Sequence, residues 1–174
     1  MSYVNIPIGN EAPEIVNAII EVPKGSHSKY EYDESIDEIK LDKILHSSIV
    51  YPTEYGFIPK TRTEDGEQLD VLVLISEHLF SGCLVEVRPI GVLFMEDSEG
   101  IDVKIIAVAA KDPLFSQVKN IEDVDENYKK EIHNFFEMYK QLENKTIKVH
   151  NWHNKEEAYK RIKEAQERFT REEK

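Results

Sequence analysis

The chain has 174 residues with 22 Lys and Arg against 34 Asp and Glu, and a formal charge of −12 argues against binding nucleic acid or an anionic membrane through net charge. Its hydrophobic fraction of 40% suits one domain, residues 1–174, with a real core. The lone Cys83 excludes an intrachain disulfide and, with no basic n-region and no apolar run long enough to span a bilayer, points to a reducing, cytoplasmic setting.

Residues 1–13 are turn-rich and read as a surface arm. Residues 14–22 carry Ile15, Val16, Ile19, Ile20 and Val22, a strand pattern that ends at Pro23-Lys24-Gly25-Ser26. That last run lacks the upstream glycine and following helix of a phosphate loop. In Lys29-Tyr30-Glu31-Tyr32, charged and aromatic residues alternate, so on a strand Lys29 and Glu31 share one face and the tyrosines the other. Residues 39–45, with Asp42 and Lys43, read as a further strand. Residues 50–59 hold two prolines and a glycine among aromatics and read as a fixed, packed connection.

The densest chemistry lies in Glu64-Asp65-Gly66-Glu67-Gln68-Leu69-Asp70, a turn that runs into the apolar segment Val71-Leu72-Val73-Leu74-Ile75 and places Asp70 at a strand's mouth. Carboxylates held there suit hard cations, and Mg²⁺ in particular prefers oxygen donors shared with substrate phosphates. The same run also reads as an acidic surface turn. Residues 84–95 form a strand with a bend at Pro89-Ile90-Gly91, and the polar run 96–100 turns into another strand in which Asp102 and Lys104 share a face.

From there the apolar period becomes helical: Ile132, Phe135, Phe136, Tyr139 and Leu142 mark an amphipathic helix over residues 127–142, with Tyr139 and Lys140 near its end. Residues 146–149 read as a short strand, and Asn154 with Glu157 as the start of a last helix carrying Ala158, Ile162, Ala165 and Phe169, whose tail, 170–174, frays. His150 and His153 lack a third ligand nearby, the acidic run 123–127 misses the glycine and closing glutamate of an EF-hand, and no Gly-x-Ser-x-Gly is present.

Taken together, Glu21-Val22-Pro23-Lys24-Gly25-Ser26 with Lys29-Tyr30-Glu31, the run Tyr51-Pro52 through Pro59, the acidic loop, Asp97 through Lys104, and Phe135-Phe136-Glu137 with Tyr139-Lys140 resemble the soluble family I inorganic pyrophosphatases. The resemblance covers about residues 12 to 169, in order and with similar spacing. It implies an α+β, mainly β fold: an OB-like five-stranded β-barrel with flanking α-helices. It also implies a homo-oligomer, commonly a hexamer, and hydrolysis of pyrophosphate to two phosphates with several Mg²⁺ per subunit, Mn²⁺ being a substitute. Metal ligation falls on Asp65, Asp70, Asp97 and Asp102, supported by Glu21 and Glu31. Phosphate falls on Lys29, Lys104, Tyr139 and Lys140, with Lys43 at the place of a phosphate-binding arginine, and the catalytic groups are Glu67 as base and the site-lining hydroxyl of Tyr55. A highly charged anion approaches such carboxylates only where cations intervene, and lysines then neutralise the leaving phosphate.

The chain departs from the family loop Asp-x-Asp-Pro-x-Asp, since Glu67 and Gln68 stand where it has aspartate and proline. Glu54 replaces an asparagine, and Lys43 keeps the charge of arginine without its bidentate fork. A second reading is therefore a non-catalytic homologue that binds metal and phosphate. An OB-fold binder of single-stranded nucleic acid is a distant third, because no cationic groove is apparent at this charge.

Overall fold

The computed structural model describes residues 2–98 and 100–172; Met1 of the arm, Glu99 of the expected hairpin turn, and Glu173 and Lys174 of the tail lie outside the described residues. Eight strands and two helices follow in the order β1 (Val16–Val22), β2 (Ser28–Asp33), β3 (Glu38–Ile44), β4 (Glu54–Ile58), β5 (Leu69–Leu74), β6 (Leu84–Asp97), β7 (Gly100–Ala109), α1 (Glu126–Met138), β8 (Lys148–Asn154) and α2 (Lys155–Glu172).

The two-residue period of the strands sorts their side chains into two apolar layers. Leu69, Val71 and Val73 of β5, with Ile105 and Ala107 of β7, pack with Ala158, Ile162 and Ala165 of α2. Leu72 and Leu74, with Ile106 and Val108, pack with Ile132, Phe135 and Phe136 of α1. β5 and β7 pair in parallel, and burial on both faces explains why they read as near-continuous apolar runs.

The OB-like five-stranded barrel is corrected by the pairing. The main sheet is mixed and has six strands, in the order β1-β4-β5-β7-β6-β8, while β2 and β3 form a separate two-stranded sheet. β1 does touch β6, but only through Val16 to Ile19 against Val87 to Leu84. β6 bends at a register shift between Pro89 and Gly91, and from Gly91 to Glu96 its edge pairs with β8 instead. Past that contact the sheet runs on to β8 as its sixth strand.

Other expectations shift for local reasons. Residues 50–59 are not merely a connection, since Glu54 to Ile58 form β4, buried throughout. Gly56 belongs to this strand because β1 lies so close that an added Cβ would sit 1.9 Å from the Ile19 carbonyl oxygen. The N-terminal arm is packed, with Ile6 and Ile8 buried and Tyr3 edge-on to Tyr32 at 5.4 Å. Helix α1 ends at Met138 with Tyr139 as its C-cap, and a separate 3₁₀ turn, Gln141–Glu143, follows. The acidic run before α1 serves as its cap: the Asp125 carboxylate accepts from the Asn127 N–H at 2.8 Å. The strand expected at 146–149 extends to Asn154, whose side chain accepts from the Glu157 N–H at 3.2 Å and starts α2, helical to Glu172. His150 pairs with Glu96 at 2.9 Å while His153 lies against the Phe94 ring, so the two histidines make separate contacts. Among the described residues, no helix is long and apolar enough to cross a membrane.

The Gly56 contact yields a test. Gly56→Ala forces backbone against backbone, where no rotamer change relieves the overlap, and is expected to lower stability by about 3 kcal/mol or more in chemical denaturation. A wild-type midpoint in that variant would refute this account of the β1–β4 approach.

Candidate active site

Parallel pairing sets Asp70 of β5 directly opposite Lys104 of β7. The Lys104 ammonium is ion-paired with Asp70, lies 2.8 Å from Asp102 Oδ2, and donates to the Tyr55 hydroxyl at 3.3 Å. Asp102 reaches it because residues two apart on a strand share a face. Burial opposes the charge on Lys104, which is only 5% exposed, but Asp70 and Asp102 outweigh that and hold its pKa above the ordinary lysine value. Asp70 is pushed up by burial, with Lys104 acting in the opposite direction.

Beside this group, Glu21 ends its buried strand with one oxygen accepting the Tyr32 N–H at 2.7 Å. Burial, and then the nearby Asp70 charge, push its pKa up to about 8. The alternation in β2 holds: Lys29 contacts Glu31 on its own face and Asp42 of β3 at 3.0 Å. In the acidic loop, Gly66 adopts φ +89°, a conformation that favours glycine, and the Thr63 N–H donates to the Glu67 carbonyl at 2.8 Å. The Asp65 carboxylate accepts from the Thr63 hydroxyl and from the Glu67 N–H. Glu67 is raised above the ordinary glutamate value, first by partial burial and then by Asp65, Glu31 and Asp70. From the end of α1, Tyr139 stacks on Phe135 at 5.2 Å, and Lys140 lies 3.7 Å from Asp97.

All these groups line one open cleft of about 1030 Å³: Glu21, Lys29, Glu31, Tyr55, Asp65, Glu67, Asp70, Asp97, Asp102, Lys104, Tyr139 and Lys140. Of the residues expected at the site, Lys43 does not line it. Lys43 faces Lys29 across the β2–β3 pairing, and its ammonium is held instead by Glu143 at 2.7 and 2.8 Å. Glu54 is also elsewhere, fully buried and accepting the N–H groups of Lys24 and Leu79 at 3.1 Å each. Arg62 and Glu34 line the cleft but escape the sequence reading, and Gln68, read there only as a departure from the family's proline, lines it too. A cation placed just before the acidic run was the available signal for Arg62; its partners are remote in sequence.

The wall thus offers eleven carboxylates, Asp33, Glu34, Glu64 and Glu164 together with Glu21, Glu31, Asp65, Glu67, Asp70, Asp97 and Asp102, against four lysines, Lys29, Lys40, Lys104 and Lys140, and three arginines, Arg62, Arg161 and Arg168. An anionic substrate is repelled by that balance unless cations join it, and an all-oxygen donor set is what Mg²⁺ takes. Among the described residues, no three acidic, His or Cys side chains are gathered into a ready-made cation site. In their place, the Lys104 ammonium spans Asp70 and Asp102, a cation already located where the carboxylates call for one.

Glu21 supplies a pH test on the metal-free protein. Its folded pKa of about 8 lies above that of an unfolded glutamate, so its contribution to stability is complete below the unfolded value and is lost as pH rises through about 8. Denaturation in EDTA at pH 5 and pH 8 is expected to show stability falling over that window, and Glu21→Gln, which keeps an acceptor for Tyr32, is expected to flatten the fall and exceed wild type at pH 8. Equal slopes for the two proteins would refute the assignment.

A family profile described as "Inorganic pyrophosphatase" matches residues 18–170. An inorganic pyrophosphatase of Saccharolobus solfataricus is 50% identical over 163 residues, covering 92% of this chain and 95% of that protein. The crystal structure of inorganic pyrophosphatase from Thermus thermophilus superposes with a TM-score of 0.94 at 43% identity, covering 98% of this chain and 99% of the other. A Helicobacter pylori inorganic pyrophosphatase gives a TM-score of 0.91 at 37% identity over 95% and 99% of the two chains. With sequence, fold and near-complete coverage in agreement, this chain belongs to the family I inorganic pyrophosphatases.

Proposed function

We infer that the cleft is where this chain carries out its family's reaction, the hydrolysis of inorganic pyrophosphate to two phosphates, and we assign the roles as follows. The observation that carries the assignment is the excess of carboxylates over lysines and arginines on a wall built from segments far apart in sequence. A metal requirement comes with the family. Asp65, Asp70, Asp97 and Asp102 are the oxygen donors that would hold Mg²⁺, or Mn²⁺ in its place, with Glu21 and Glu31 behind them. When bound, such ions polarise phosphoryl oxygens and acidify water.

Lys29, Lys104 and Lys140 bind the substrate's phosphoryl oxygens and neutralise the charge that builds on the leaving phosphate, and the Tyr139 and Tyr55 hydroxyls orient it. Glu67 takes the proton of the attacking water. Its raised pKa supports this, since a carboxylate of higher pKa accepts a proton with a stronger driving force. Lys43 acts through Glu143 by tying β3 to the segment that follows Tyr139 and Lys140.

We also propose that the chain is one domain, works in the cytoplasm and assembles as a homo-oligomer, most simply a hexamer. The single, half-buried cysteine supports a reducing compartment, and the exposed Phe80, Leu84 and Leu114 supply apolar surface for contacts between copies. Light scattering at micromolar concentration is expected to report the oligomer; a monomer would refute it.

Purified protein is expected to release phosphate from pyrophosphate with Mg²⁺ and to stop on addition of EDTA. Glu67→Gln is expected to lower kcat by about 10²-fold or more. No turnover by the wild type, with pyrophosphate still bound in calorimetry, would mark a non-catalytic homologue; a fully active Glu67→Gln would remove Glu67 from the role of base.

A further inference from the structure

One set of contacts on the cleft wall is left unused by these roles. Arg62 precedes the acidic loop, and its side chain is only 12% exposed because it reaches three segments at once. The guanidinium donates to both carboxylate oxygens of Glu34 at 3.0 and 3.2 Å, to the Gly66 carbonyl at 3.1 Å and to Glu172 of α2 at 3.0 Å. Its backbone N–H donates to the Ala165 carbonyl, also in α2, at 2.9 Å. Glu34, from the turn between β2 and β3, accepts a further bond from the Gln68 side-chain amide. Both flanks of the loop, Arg62 before it and Gln68 after it, are therefore fastened to one carboxylate.

Gln68 stands where the family pattern has proline. Proline would fix φ near about −65° and narrow the loop's range through the backbone alone. Glutamine leaves that torsion free, so the restraint has to come from side chains. We propose that Arg62 is a positioning residue that, through Glu34 and Gln68, holds the acidic loop in its working shape and supplies the restraint that proline supplies in the family pattern. The proposal rests on the reading of Asp65 and Glu67 as the loop's working carboxylates. A displacement of roughly 1 Å at such groups costs about 10²-fold in rate.

The test pairs kinetics with amide hydrogen exchange on the metal-free protein. Arg62→Leu removes the hub; Glu34→Ala breaks the links to Arg62 and Gln68 from an exposed position with little risk to folding. In either variant, exchange across residues 63–69 is expected to quicken by about fivefold or more while β1 and β7 stay protected. With Mg²⁺ and pyrophosphate, kcat is expected to fall by about 10-fold to 10²-fold with KM within about twofold. Adding Gln68→Pro to Arg62→Leu is expected to restore most of both losses. Unchanged loop exchange, a loss confined to KM, quickened exchange throughout the protein, or no rescue by proline would each overturn the proposal. Glu67→Gln measured alongside separates the two readings: if it stays active, the base assignment fails, while loop exchange and proline rescue still decide the role of Arg62.

Discussion

The buried ion pair between Lys104 and Asp70 is the constraint on which the rest of the cleft depends. Removing an ammonium from water costs several kcal/mol unless close partners replace the solvent. The parallel register of β5 and β7 provides one partner directly across the ladder, and Asp102, two residues away, provides another. A slip of one residue would turn Lys104 into an apolar layer, so Leu72 and Val73 beside Ile106 and Ala107 fix the electrostatics as well as the packing. Glu21 answers to the same pair: burial, and then the nearby Asp70 charge, push its pKa up to about 8.

The site divides according to what holds its groups. Asp70, Lys104, Asp102 and Tyr55 ride on strands whose backbones are locked in ladders, and their mutual geometry is as firm as the sheet, while Glu21 stands at the irregularity between Ile20 and Val22 of β1 and is fixed by its bond to the Tyr32 N–H. Tyr139 sits at the end of a helix but is clamped by the Phe135 and Phe136 rings, which extends that firmness to the neighbouring Lys140. Asp65 and Glu67 ride on a loop, so their placement depends on individual hydrogen bonds. A group that takes up a proton benefits from some freedom, but only if the backbone beneath it is held.

What was legible in the sequence follows the range of the forces involved. The faces of Lys29 with Glu31 and of Asp102 with Lys104 follow from a two-residue period, the start of the last helix from a few adjacent residues, and the clustering of carboxylates from their spacing against known relatives. The misreadings concern contacts made at a distance. Lys43 is drawn away by Glu143, one hundred positions later. Gly56 signals a turn in isolation and is a strand residue only because β1 presses against it. The sixth strand of the main sheet lies some fifty residues downstream of β6, where its short apolar pattern gave no indication of its partner.

That extra strand has a consequence for the molecule in crowded solution. β8 pairs with β6 on one side and forms an end of the main sheet, where unpaired backbone groups can recruit strands from other chains. Its outward positions are Lys148, Asn151, His153 and Asn154, all exposed, and the chain passes directly from it into α2. Polar and basic side chains at a short edge disfavour the flat, apolar stacking from which fibrils grow. The strand that extends the sheet to six members is thus also its safeguard against aggregation.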